Sequence, residues 1–401
     1  MEKNYRLIKD KNARAFLGSQ AFSFIGSGAM PIALSFALLD HGFSALSVGG
    51  VLAATDLPFV LLLLVGGVIA DRFSRKAVAI SSEVVRALLA LVLAYIVIWV
   101  TFTPLELAIV GAGWGVARAF YAPTLTGMTP EIFTQDALVA ANSFREGARA
   151  IGNLGGPALA GFGVAYLGAG KTILIIAVCY AISGLWLSKV SGTIAPDVVE
   201  RSFLEDLKTG YREVRSQTWC WLTIIVYSFM HLLVFGPLVV LGPLIAKRHL
   251  GGAATWGVIL AFEGVGGILG AVAASRFKLK RPLWSASIIA LLGSPSFFLL
   301  ALRVSPVFIA PSVAMLGFGF SFVGINWETT IQRFFPQEAM SRVSAYDIFG
   351  SVALYPLGQV LGGLETHFMS ASLATIACGI ALIATSLILI GSKSVYRLKS
   401  T

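Results

Sequence analysis

Apolar residues in this chain come in long runs, each closed by a short polar or charged turn. The runs lie near 15–39, 45–70, 77–100, 104–122, 147–167, 172–190, 219–246, 255–275, 283–302, 306–326, 344–364 and 371–391. A helix needs about 20 apolar residues to cross the hydrocarbon core of a bilayer. The pattern therefore predicts an all-α integral membrane protein with twelve transmembrane helices in two pseudo-symmetric six-helix bundles. The expected domains are a first bundle over 1–190, a cytoplasmic connector over 191–218 and a second bundle over 219–401. In the connector, Phe203, Leu207, Tyr211 and Val214 recur at helical spacing among charged neighbours. That spacing predicts an amphipathic helix along the inner membrane surface.

Composition leaves no room for an added soluble domain. Of 401 residues, 57% are hydrophobic and 12% charged, against about 25% charged in ordinary soluble domains. A formal net charge of +10 would suit a nucleic-acid binder, but here the cations are sorted by loop. Alternate loops and adjoining span ends hold about 24 Lys and Arg, while the intervening loops hold only Lys171, Lys247, Arg248 and Arg303. The positive-inside rule turns that imbalance into an orientation with both termini cytoplasmic, in the cell membrane. Residues 1–14 are polar and basic, and the long apolar run after them continues without a clear small-residue cleavage site, so they read as a cytoplasmic leader and not a signal peptide. Cys179, Cys220 and Cys378 lie in or beside apolar runs without a CxxC pattern and read as small core residues.

The chain also repeats itself. A shift of roughly 204 residues lays the stretch from Gly270 to Phe277 over the one from Gly66 to Phe73 and sets Lys280 against Lys76. The second copy has Ser275 where the first has Asp71, and Leu279 where the first has Arg75.

That first copy, Gly66 to Lys76, is a tight, charge-dense turn between two apolar runs. It resembles the loop between the second and third helices of the major facilitator superfamily, whose pattern is Gly, three residues, Asp-Arg, one residue, Gly, Arg, then Arg or Lys. Gly67, Asp71, Arg72, Arg75 and Lys76 match, and Ser74 stands where the family usually has Gly. The resemblance implies a conformational latch on the inner face. In the family the acid sits at the N-terminus of the eleventh helix, where a dipole stabilises negative charge, and the cations orient it. A purely topological role explains Arg and Lys but not Asp71.

A second motif, Gly152, Gly156, Pro157 and Gly161 in the fifth run, resembles the fifth-helix signature of facilitator-type antiporters, with Ala160 in place of one glycine. Small residues let helices approach closely and proline permits a bend, so a generic packing face is the competing reading. Tyr121-Ala122-Pro123, Ala141-Asn142-Ser143, Trp327-Glu328-Thr329-Thr330 and Arg342-Val343-Ser344-Ala345 are similar to segments of one efflux branch, which contains macrolide exporters, the enterobactin exporter and lysophospholipid transporters.

Ionisable residues within spans need a reason, because inserting one costs at least about 2.5 kcal/mol. Asp56 lies 15 residues before Asp71, and Glu263 lies 12 before Ser275, which places both deep in the second and eighth spans. They are candidates for proton coupling or for binding a cationic substrate. The alternatives are a hydrogen-bonded acid beside the Pro58 kink and an acid paired with a polar neighbour. Glu83 and Arg86 are three apart and can meet on one helix face, as a structural ion pair. Arg118, Glu146 and Arg149 are placed near the inner ends of the fourth and fifth spans, as snorkelling groups or gate salt bridges. Glu328 and Asp347 flank the tenth-to-eleventh loop.

No phosphate loop, metal-ligand cluster or nucleophile triad appears, so neither catalysis nor a cofactor is expected. The resemblance implies a secondary transporter, exporting amphipathic small molecules in exchange for protons and working as a monomer in the lipid bilayer without nucleic acid. An importer or facilitator of a siderophore, lysophospholipid or other solute, and a non-transporting membrane sensor, are the alternatives.

Overall fold

A computed structural model describes residues 10–72, 74–133, 138–191, 203–277, 279–336 and 340–399. Among the described residues the regular structure is entirely helical. The chain divides into two compact units. One comprises Met1–Phe43 and Gly50–Val199, the other Ser44–Gly49 and Glu200–Thr401.

The first unit is built from α1 (Lys11–Asp40), most of α2 (Ala45–Arg72), α3 (Arg75–Trp99), α4 (Pro104–Ile132), α5 (Leu138–Leu167) and α6 (Ala169–Ser188). Within it α1 packs along α5 and α6, and α3 along α4 and α6. Lipid tails are as apolar as leucine, so association here depends on close packing of small residues more than on hydrophobic burial. The α1–α5 seam shows this. A Cβ on Gly156 would lie 2.8 Å from the Ile25 carbonyl oxygen and 2.9 Å from the Gly28 Cα, so only glycine permits that approach. Large apolar residues such as Leu61, Leu88, Leu105 and Leu185 face outward, 56–66% exposed, which in a lipid solvent is their favourable side.

The second unit contains α7 (Phe203–Ser216), α8 (Thr218–Met230), a π-helical turn (His231–Phe235), α9 (Gly236–His249), α10 (Ala253–Arg276) and α11 (Pro282–Ala290). A 3-10 turn (Leu291–Gly293) leads to α12 (Ser294–Ala301), and α13 (Pro306–Phe334), α14 (Met340–Val352), α15 (Tyr355–Phe368), α16 (Ala371–Gly391) and α17 (Lys393–Arg397) follow. Here α10 runs along α13, α9 along α15, and α12 along α16. The amphipathic α7 lies against α14, where Tyr211 meets the Tyr346 ring at 6.2 Å and Val214 joins a buried cluster with Trp219 and Trp327. The side chains of Phe203 and Leu207 lie outside the described residues.

Polar side chains within the helices are satisfied mostly by their own backbone. Ser35, Thr55, Thr124 and Thr385 donate to carbonyls one turn back at 2.6–2.9 Å, which removes the penalty of an unpaired hydroxyl in hydrocarbon.

Among the described residues ten helical stretches are long and apolar enough to cross a membrane. The expected fourth and eleventh spans are not among them. Helix α4 is long enough, but Glu106 and Arg118 lower its apolar character, and the eleventh run is broken after Val352 into helices of 13 and 14 residues. Three other boundaries also moved. The structure extends the fourth helix from 122 to Ile132, starts the fifth at Leu138 and extends the tenth to Phe334. The backbone ladder runs past the last apolar residue at these ends, and hydropathy does not register that continuation.

Candidate functional site

At the charged turn, α2 ends at Arg72 and α3 begins at Arg75. Ser74 serves as N-cap, its hydroxyl accepting from the Ala77 N–H at 3.4 Å, so the residue that departs from the family pattern satisfies an otherwise orphaned donor. Arg75 Nη1 donates to the Gly127 carbonyl of α4 at 3.1 Å. Lys76 Nζ donates to the Ser188 and Val190 carbonyls at 2.9 and 2.5 Å. These belong to the end of α6, where unpaired carbonyls and the negative end of the dipole favour a cation. Gly67, Asp71 and Arg72 fall on the last turns of α2, and their side chains lie outside the described residues.

Among the described residues, two ion pairs occupy the interior of the first unit. Arg118 Nη1 lies 2.8 Å from Asp56 Oδ1, joining α4 to α2, with side chains 34% and 14% exposed. Arg118 lies midway along α4, and its guanidinium sits 4.0 Å over the Phe59 ring.

The second pair, Glu83 and Arg86, closes at 2.7 Å with side chains 0% and 1% exposed. Its surroundings come from three further helices. Ser183 of α6 donates to Glu83 Oε1 at 2.7 Å, while Arg86 donates to Ser23 and Ser27 of α1 at 3.0 and 3.4 Å. The guanidinium also lies 4.2 Å from the Tyr121 ring centre and 4.6 Å from that of Tyr180. Trp114 links the two pairs, with its ring 6.1 Å from Tyr180 and 5.8 Å from the Arg118 guanidinium. The i,i+3 spacing in the sequence indicated the pair itself. Its neutral partners carried one faint signal, the four-residue spacing of Ser23 and Ser27 in an otherwise apolar run.

The remaining candidates are placed more simply. Gly152, Pro157 and Gly161 share α5 with Gly156, and both Gly152 and Gly161 are buried. Arg149 is exposed on the same helix, while the Glu146 side chain lies outside the described residues. Sequence reasoning missed Arg145, which donates to Gln20 at 3.3 Å and to Thr129 at 3.2 Å and so ties α5 to α1 and α4.

In the second unit Glu263 is half-buried in α10 against Gly317 of α13, where a Cβ would lie 3.1 Å from the Glu263 Cγ. Asp347 accepts from Trp327 Nε1 at 2.9 Å and from Ser351 at 3.2 Å, so it binds α14 to α13. Glu328, beside Trp327, is exposed.

The helix pairing is the same in both units. The α1–α5 and α3–α6 pairs in one correspond to the α9–α15 and α12–α16 pairs in the other, an internally repeated helical membrane architecture of the kind used by secondary transporters. Residues 16–362 match the Major Facilitator Superfamily, and the chain belongs to that family. It is a multi-pass membrane transporter and not an enzyme.

Among similar proteins, the multidrug efflux pump Tap of Mycolicibacterium fortuitum is 24% identical over 89% of this chain and 91% of its own length. Macrolide efflux protein A of Streptococcus pyogenes is 22% identical over 58% of each chain. The solved structure of a POT family transporter in complex with 5-aminolevulinic acid superposes with a TM-score of 0.75 over 96% of each chain at 12% identity, which establishes a shared fold.

Proposed function

We propose that this chain is a twelve-span, proton-coupled exporter of amphipathic small molecules, a monomer in the cell membrane with both termini cytoplasmic. Two six-helix bundles alternate access to one substrate site. The observation that carries the coupling is the Asp56–Arg118 pair at mid-helix, 2.8 Å apart and incompletely buried. Protonation of Asp56 removes the charge that holds Arg118, and the freed guanidinium then favours a different arrangement of α2 against α4. Deprotonation on the other side resets the pair. Glu263 is the acid of the second unit that takes part in coupling or meets a cationic substrate. Gly67, Asp71, Arg72, Arg75 and Lys76 form the latch of the inner face, within which the bonds of Arg75 and Lys76 to carbonyls of α4 and of the α6 end support a rigid base.

Export is favoured by the Tap and macrolide efflux relatives, both named for efflux. The test is uptake of a fluorescent amphipathic cation, and separately of a macrolide, into inverted vesicles containing the purified chain. Uptake should require an imposed proton gradient and should fall at least tenfold in Asp56→Asn. Gradient-independent equilibration would instead identify a facilitator, and undiminished uptake by Asp56→Asn would remove Asp56 from the coupling scheme.

A further inference from the structure

The second unit contains a cationic cavity that solute movement as proposed does not use. It encloses about 310 Å3 and is lined by Arg248, His249, Arg303, Thr366, His367 and Ser370, among others. These residues come from the end of α9, the turn after α12 and the α15–α16 connection, so three chain reversals converge at one end of the unit. No carboxylate lines it among the described residues. Of the four cations on the sparsely charged side of the sequence, Arg248 and Arg303 line the cavity and Lys247 adjoins it.

Helix dipoles explain part of this cluster. Arg248 and His249 on the last turn of α9, and His367 on the last turn of α15, complement the negative ends of their own helices. Arg303 has no such explanation. Its backbone sits in the left-handed region at φ 57°, an unfavourable conformation for a residue with a Cβ. Its Nε donates to Ser372 Oγ at 3.2 Å, which holds the guanidinium over the first turn of α16, the positive end of that dipole. A cation held there, in a cavity shared with a second guanidinium and two imidazoles, is stabilised when an anion sits among them.

We propose that this cavity binds a phosphate-ester anion, with Arg248 and Arg303 as its principal ligands. Guanidinium groups match phosphate oxygens bidentately. The neighbouring surface is apolar: Leu302, Phe308 and Phe368 are 65–79% exposed beside the cavity-lining segments. That rim suits acyl chains, so an anionic lipid headgroup is one source of the phosphate and a soluble phosphate ester the other. The site is independent of which solute the chain moves.

The test uses the full chain in phosphatidylcholine nanodiscs and follows its thermal unfolding midpoint. The probes are phosphatidylglycerol mixed into the disc and glycerol 3-phosphate added in solution. Phosphatidylglycerol should raise the midpoint of the wild-type chain, with at least about tenfold weaker binding in Arg248→Gln and in Arg303→Gly. Arg303→Gly separates binding from folding, because glycine adopts φ 57° without strain and should leave the lipid-neutral midpoint unchanged or higher. Should that variant fail to fold, Arg248→Gln carries the comparison. Stabilisation by phosphatidylglycerol alone identifies the lipid as source, and stabilisation by glycerol 3-phosphate as well identifies a soluble ester. Equal shifts in the wild type and both variants, or no shift with either probe, overturn the proposal.

Discussion

The two units share a helix pairing and a sequence repeat, yet they treat charge differently. Among the described residues the first encloses two ion pairs, Asp56 with Arg118 and Glu83 with Arg86. The shift of roughly 204 residues that aligns the turn motifs puts Leu260 and Phe322 at the positions of the first pair, and Ser287 and Ala290 at those of the second. Phe322 is buried and stacks on Phe318, and Ser287 donates to its own helix at 2.8 Å. Two of the second unit's candidate acids, Glu263 and Asp347, have no Lys or Arg bonded to them among the described residues; Asp347 is held by Trp327 and Ser351. At these four positions, therefore, the second unit packs without ion pairs, so the repeated fold does not require them there. For Asp56 and Arg118 the requirement proposed here is proton coupling.

The largest effect is expected at Arg86. Replacing it with Met leaves Glu83 buried without its cation and should cost about 3–5 kcal/mol, read as a large drop in unfolding midpoint. The Glu83→Leu/Arg86→Met double variant, which makes this helix resemble its counterpart in the second unit, should recover much of that loss. If the single variant is as stable as the wild type, the contrast between the units loses its energetic basis.

The incompletely buried pair should behave differently. Arg118→Gln should lower stability by about 1–3 kcal/mol, because water reaches part of the site, while gradient-driven transport falls at least tenfold. The same assay on Glu263→Gln sharpens the comparison. A loss of coupling there would show that the second unit contributes an acid without a partner cation.

The seams of small residues should rank next. Gly156→Ala forces a methyl to within 2.8 Å of the Ile25 carbonyl oxygen, and overpacking of this kind costs about 1–3 kcal/mol. In the second unit a Cβ on Gly266 meets the Ala314 backbone still more closely. Gly266→Ala should therefore lower the unfolding midpoint further than Gly156→Ala. The smallest effect is expected at the turn. Ser74→Gly, which restores the family residue, should change stability by only a few tenths of a kcal/mol, within the resolution of chemical denaturation.

Much of this was legible in the sequence. Apolar run length fixed the helices, and α16 (371–391) has the bounds its hydropathy predicts. Spacing alone paired Glu83 with Arg86, because residues three apart share a helix face regardless of context. Where the reading failed, it failed at helix ends and across helices. The fourth apolar run ends at 122, whereas the backbone ladder runs on to Ile132.

The features readable from the chain alone are local and periodic: a bilayer-spanning helical chain and the turn motif that carries the family resemblance. Those features depend on residues within a few turns of one another. Tertiary structure decided which helices meet, and with that the partners of each buried charge. Arg118 finds Asp56 62 positions away, and Ser183 reaches Glu83 across 100. Such contacts are set by how small residues allow one helix to close on another, a property of two surfaces that neither segment encodes alone.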